Sequence, residues 1–257
     1  MKRFRRFSLL SLLIAITVCA VWISASSNRA GKLHRAIEQL SDTGCQIGYD
    51  FEFDGTVRVK NPRPQGPEFL RKWLGDEYFV DVALVKFPYS ATRNQDLNHL
   101  KDLPNVRVLD LDCATVDDIA VVAHLSKLRY LDLENTKITN EALEHLRNLN
   151  RLETLVLSDT EVGDKGIEHL SRLENLVELR LDRTNITDSC IEHLVGLKSL
   201  AILHVSSTNI TSEGVEKIKS ALPSCSVSVT MMATKHANVK RSNARSTLTR
   251  CNSRNYD

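Results

Sequence analysis

Apolar residues recur along the second half of the chain at a fixed step. Leu131, Leu155, Leu179 and Leu203 are each 24 residues apart, and Leu133, Leu157, Leu181 and Val205 keep the same spacing. So do Thr136, Thr160, Thr184 and Thr208, and Ile138, Val162, Ile186 and Ile210. The aligned units read LRYLDLENTKITNEALEHL, LETLVLSDTEVGDKGIEHL, LVELRLDRTNITDSCIEHL and LAILHVSSTNITSEGVEKI. A looser unit, VRVLDLDCATVDDIAVVAHL, precedes them, and a degenerate one, VALVKFPYSATRNQDLNHL, precedes that. In each LxL the leucines face one way and the middle residue the other, which predicts a short strand with one buried face. The next turn brings Thr inward, where its hydroxyl is expected to bond the backbone of the neighbouring coil. The Ile/Val that follows returns to the core. The pairs at 139–140, 163–164 and 187–188 offer cap-type oxygens for a helical turn. That turn ends on EALEHL, GIEHL or CIEHL, where the small Ala142, Gly166 and Cys190 permit close packing.

The pattern LxxLxLxxTxI/V…HL resembles a leucine-rich repeat. A single coil cannot bury its own leucines, so coils must stack around one shared core. The resemblance covers about residues 79–230. The units are similar to the cysteine-containing class, with its ITD-x-G-I/L signature. Ala114 in place of Thr and the missing Cys in most units depart from that class. The resemblance implies an α/β solenoid, with parallel strands on the concave face, short helices on the convex face and protein recognition as its role. It implies no catalytic activity, because repeats are scaffolds.

Outside the repeats, Phe7–Ala25 carries no charge and is apolar on all sides. Nineteen residues of helix span roughly 28 Å, close to a bilayer's hydrocarbon core. Lys2, Arg3, Arg5 and Arg6 precede it, so the flank stays cytoplasmic and the rest of the chain crosses. Ser24-Ala25-Ser26 also offers a signal-peptide cleavage site; the length of the run and the bulky Trp22 and Ile23 favour an uncleaved anchor. An anchor followed by repeats resembles bacterial membrane-anchored leucine-rich-repeat proteins. Residues 29–41 read as a helix. Cys45, Ile47, Tyr49, Phe51 and Phe53 alternate and lead through Asp54-Gly55 into Val57 and Val59, a hairpin signal. Residues 61–67 read as a connector and 67–75 as a short helix. The organisation expected is a basic segment (1–6), an anchor (7–25), a small α+β cap (26–78), the solenoid (79–230) and a disordered tail (231–257).

Charge sharpens this division. The net +2 is +4 in residues 1–27 and +5 in residues 231–257, which leaves −7 for the body between them. The six Cys form no CxxC and no zinc-type spacing, and Cys113 and Cys190 read as buried free thiols. No Gly-rich phosphate loop occurs. His99, His124, His145, His169 and His193 recur once per unit, a spacing that stacks them along the convex side without converging on one ion. Asn185-Ile-Thr187 and Asn209-Ile-Thr211 match a glycosylation sequon but coincide with the repeat consensus. The basic tail has no aromatics interleaved to stack on bases, so no specific nucleic-acid partner is expected.

The candidate site is the outward strand face: Asp110, Asp112, Asp132, Glu134, Asp159, Arg180, Asp182, Arg183 and His204. Four carboxylates in the first two full coils read either as a site for a basic patch on a protein partner or as a solvated polar face that keeps the solenoid soluble. Asp110-Leu-Asp112 has the form of a metal-binding DxD, but strand alternation alone produces it. Asp182, His204 and Ser206 invite a catalytic triad. Same-face neighbours about 6.5 Å apart and the lack of a nucleophile elbow argue against it. The expectation is a non-enzymatic binding protein without cofactor or metal, single-pass in the cell membrane, with its repeats on the non-cytoplasmic side. Similar repeats occur in substrate-recognition subunits of ubiquitin ligases, so an intracellular adaptor is the alternative, and a cleaved secreted binder another.

Overall fold

A computed structural model describes residues 9–54, 57–58, 71–72, 80–89 and 92–230. The chain opens with helix α1, Leu9–Asp42, a single element of 34 residues. The helix expected over 29–41 is therefore the end of a longer one that runs back through the apolar segment. Ala30, Leu33, Ala36 and Leu40 form its buried stripe at helical spacing. Leu33, Ala36 and Leu40 join a core with Leu97 and Leu100 from a 3-10 segment, Asn94–Asp102, and with Leu103 just after it.

Strand β1, Gln46–Tyr49, follows. It pairs antiparallel with β4, Val82–Lys86, with a bulge at Gly48/Tyr49. The alternating run 45–53 is thus not one arm of a hairpin. A 3-10 turn, Asp50–Glu52, interrupts it. There the Asp50 N–H donates to the Asp81 carbonyl and a Glu52 carboxylate oxygen accepts the Tyr49 N–H. The hairpin itself is present but short: β2, Phe53–Asp54, pairs with β3, Val57–Arg58. Period-two alternation shows which face is apolar but not which strand lies alongside. The expected basic segment, connector and tail lie outside the described residues, as does the 67–75 helix except for helical Arg71 and Lys72.

From β4 onward the strands run parallel: β5 Val108–Asp110, β6 Tyr130–Asp132, β7 Thr154–Val156, β8 Glu178–Arg180, β9 Ile202–His204 and β10 Ser226–Ser228. With β1 at one edge they form an eight-stranded sheet in which β4 to β10 follow chain order. Each strand is three residues long in the regular coils, with one leucine at its centre. Leu109, Leu131, Leu155, Leu179 and Leu203 stack in register and are fully buried. Leu111, Leu133, Leu157, Leu181 and Val205 form a second buried column. The opposite wall is built from 3-10 turns and the helices α2 Asp164–Leu170, α3 Ile191–Leu194 and α4 Ser212–Ala221.

Past each strand the backbone turns through a left-handed residue. Cys113, Asn135, Asp159, Arg183 and Ser207 have φ of 56–59°, one per coil. This turn aims the N–H of each at a carbonyl of the next coil, at 2.8–3.1 Å, as in Asp159 to Asp182 and Arg183 to Ser206. The inter-coil ladder therefore continues beyond the strands. The cost of holding a non-glycine residue there, roughly 1–2 kcal/mol, is borne by that regular bond.

Threonine plays a different part from the one its spacing suggests. Thr136, Thr160, Thr184 and Thr208 each donate their hydroxyl to the carbonyl three residues back in their own coil, at 2.6–2.8 Å. The tight turn brings that carbonyl nearer than any in the next coil. The stitch between coils comes instead from the cap positions. Asn140 Oδ1 accepts the N–H groups of Gly163 and Gly166 in the next coil. Asp164 accepts both the N–H and the hydroxyl of Thr187 at 2.7 Å. Asp188 does the same for Thr211 at 2.9 and 2.6 Å. Thr187 and Thr211 in turn cap their own helical turns, accepting from Ser189 and Gly214. These two threonines are the last residues of the sequons.

The small residues beside this ladder are needed. A Cβ at Gly166 would lie 2.8 Å from Asn140 Oδ1. One at Gly214 would collide with Asp188 Oδ1. Cys190 is buried and free; its sulfur lies 3.2 Å from the Thr187 carbonyl, and burial followed by the Asp164 charge pushes its thiol up to about 12. Cys113 departs from expectation: it is disulfide-bonded rather than a free thiol. Like Cys190 it is buried, and it occupies the left-handed turn three residues past β5.

Candidate functional site

Strand register places the outward side chains in rows. Lys86, Asp110, Asp132, Val156, Arg180 and His204 are consecutive partners across β4 to β9. A second row, two residues earlier, runs Val108, Tyr130, Thr154, Glu178 and Ile202. Beyond the strands the half-buried Asp112, Asp182 and Ser206 carry the surface on, while Glu134 and Ser158 at the same position are buried. The left-handed turn residues, which include Asp159 and Arg183, close it.

The structure brings the expected carboxylates together but does not leave them as an open acidic patch. The Lys86 ammonium donates to Asp110 Oδ2 at 2.7 Å and lies 5.4 Å from the Tyr89 ring centre. Glu134 is only 6% exposed and lies 3.7 Å from the Arg183 guanidinium. Arg183 also forks onto Asp159, its neighbour one coil back. Asp132 accepts the Tyr130 hydroxyl at 3.0 Å and the Glu134 N–H at 2.9 Å. Burial, with Asp110 in the preceding strand and Asp112 adding like charge, still raises the Asp132 carboxyl to about 7. Burial and the Asp132 carboxylate that it bonds also push the Tyr130 phenol well above its ordinary value.

The other end of the face differs in character. Arg180 is exposed and bonded to Glu178 at 2.6 Å. The arginine holds its proton more tightly than usual: burial opposes this, and the Glu178 bond outweighs it. Ile202 beside Glu178 is an exposed large apolar side chain, 37% accessible. Asp182 and Ser206 are committed to backbone: Asp182 Oδ1 accepts the Ser206 N–H at 2.7 Å, and the Ser206 hydroxyl accepts the Thr230 N–H at 3.0 Å. His204 sits beside Arg180 in the first row. Among the described residues no group of three or more His, Cys, Asp or Glu side chains is arranged to hold a metal.

Tyr130, Glu178 and Ile202 were not anticipated from the sequence. The signal was present, because the residues on both sides of the central leucine, in x-L-x, share the outward face opposite the leucine. Counting only from the middle of LxL misses that row.

Residues 87–221 match the family described as leucine-rich repeat region, over half of the chain. The chain belongs to the leucine-rich repeat family. Among solved structures, this leucine-rich-repeat protein is similar to an internalin, InlF, of Listeria monocytogenes. The two are 19% identical over 54% of this chain and 38% of that one, with a TM-score of 0.45. Internalin C2 of the same species is 20% identical over 58% of this chain and 81% of its own, with a TM-score of 0.38. A leucine-rich-repeat protein of Leptospira interrogans is 21% identical over 51% of this chain and 38% of its own, with a TM-score of 0.40. The chain thus spans 38% of the length of InlF. No curated protein matches the sequence.

Proposed function

We propose that the chain is a non-catalytic binding protein that holds a protein partner on its concave strand face, tethered to the cell membrane by residues 7–25. One observation carries the binding reading. Two in-register rows place ionic and apolar side chains on a single surface, with carboxylates at β5 and β6 and an exposed arginine and isoleucine at β8 and β9. Leucine-rich repeats are in general protein-interaction modules, and their curvature gathers such rows onto one concave surface. The partner that fits presents a basic side chain that joins Lys86 at Asp110 and Asp132, and an apolar and acidic pair to Ile202 and Arg180. Asp112, Asp159, Asp182, Arg183 and His204 border that footprint. Glu134, being buried, shapes it through Arg183.

The tether rests on the uncharged run Phe7–Ala25 and its four basic flanking residues, which direct the repeats to the non-cytoplasmic side. The backbone of that run from Leu9 belongs to α1. Its side chains, Thr17 apart, lie outside the described residues, and among the described residues no helix is long and apolar enough to cross a membrane.

The test is capture of partners by the full chain, comparing Asp110→Lys with Asp112→Lys, Arg180→Glu with Ile202→Glu, and a convex control, Lys165→Glu. Loss of capture in the two concave pairs with an unchanged control supports the reading. Equal capture by all of them contradicts it.

A further inference from the structure

Helix α1 runs without interruption from Leu9 to Asp42. Its stripe of Leu33, Ala36 and Leu40 is buried against the first coil. A helix fixed in this way cannot pivot on that coil, so the direction of the tether also fixes the direction of the solenoid. Ala25, the last residue of the apolar run, is only four residues from Arg29 and seven from Lys32. At 1.5 Å per residue these lie about 6 and 10 Å beyond the hydrocarbon edge. The headgroup layer is itself roughly 5–8 Å deep on each side. Helical side chains also lean toward the helix N-terminus, which here is toward the membrane.

A cleft of about 350 Å³ opens at this level, between α1, the start of β4 and the loop after the 3-10 segment. Three cations line it: Arg29, Lys32 and Lys101. Arg29 is 62% exposed and paired with Asp81 at the cleft wall. Lys101 bonds Asn98 at 3.0 Å, and Lys32 is exposed without an ion pair among the described residues. Asp102 is the remaining charge on the lining, so cations exceed carboxylates by one.

We infer that this N-terminal end face rests on the bilayer, with the phosphate of an anionic phospholipid headgroup seated among Arg29, Lys32 and Lys101. The inference depends on the tether proposed above and extends it, since a tether alone leaves the end face free of the lipid. A headgroup phosphate suits the cleft because ammonium and guanidinium groups line it, two of them at headgroup depth.

The experiment uses the full chain in lipid nanodiscs of phosphatidylcholine alone or with phosphatidylglycerol, and measures the rate at which a water-soluble acylating reagent modifies each lysine. Lys32 and Lys101 should react about threefold more slowly in the anionic discs, while Lys198 and Lys217 at the far end of the array stay unchanged. Equal rates in the two lipids, for a chain that resists alkaline carbonate extraction, overturn this inference and leave the tether standing. A chain released by carbonate overturns both. Slowing produced equally by inorganic phosphate added to phosphatidylcholine discs overturns the lipid contact in favour of a soluble anion site.

Discussion

Replacing Asp132 with Asn should change how stability depends on pH. The side chain lies among Tyr130, Asp110 and Asp112, and its carboxyl titrates at about 7 in the folded chain. Its ordinary value, close to 4, applies when the chain is unfolded. The folded state therefore binds this proton more tightly than the unfolded state. Where the unfolded state holds fewer protons, stability falls as pH rises. The contribution is complete below about pH 4 and is lost progressively up to about pH 7. Each unit is worth about 1.4 kcal/mol, so the span is at most about 4 kcal/mol, less whatever the half-open surface screens. Asn keeps one oxygen for the Glu134 N–H, and the Tyr130 hydroxyl can turn to accept from the amide. The assay is urea denaturation of the full chain in detergent, at closely spaced pH values from 4 to 9. The Asn variant should lose most of the fall between pH 4 and 7 and be more stable than the parent at pH 8. An identical fall in both proteins would refute the assignment of that proton to Asp132.

Other expectations follow from the same geometry. Asp188→Ala removes two inter-coil bonds to Thr211 and should destabilise by about 1–3 kcal/mol, and a double-mutant cycle with Thr211→Val should show strong coupling in denaturation midpoints. Because the Thr211 hydroxyl, ahead of other causes, holds the Asp188 carboxyl below its usual range, that loss should appear above pH 5 and fade toward pH 3. Leu155→Ala empties a fully buried position in the middle of the leucine column and should lose about 2–5 kcal/mol, read from the urea midpoint. Gly214→Ala should be destabilising although Ala is the better helix former, because its Cβ meets an Asp188 side chain already held by Thr211; a stabilised variant would contradict the close approach. Ser207→Gly should be neutral or stabilising by up to about 1 kcal/mol in the same assay, since Ser207 sits at φ 59°.

The solenoid was legible because its constraint is periodic. A leucine every 24 residues with an outward residue on either side specifies stacked parallel strands, and Leu131 to Leu203 stack that way. Partner identity was less legible. The spacing of Thr160 shows that its hydroxyl turns inward, but the carbonyl that receives it depends on turn geometry, which brings Leu157 closest. The Asp164 and Asp188 carboxylates looked like caps for their own turns and instead serve the next coil, a distinction that exists only once coils are stacked. On the concave face the sequence placed Asp110 and Asp132 as neighbours correctly. It could not reveal that Lys86 and Arg183 partly neutralise the cluster, because those pairings join residues 24 and 49 positions apart across coils.

The central claim is that the concave strand face, rather than the convex wall, engages the partner. A photoreactive residue placed at Thr154 of the outward second row, and separately at Glu168 on α2, tests it in membranes that contain the full chain. Crosslinked partner from position 154 and none from 168 is the result this account predicts; capture from 168 alone would contradict it.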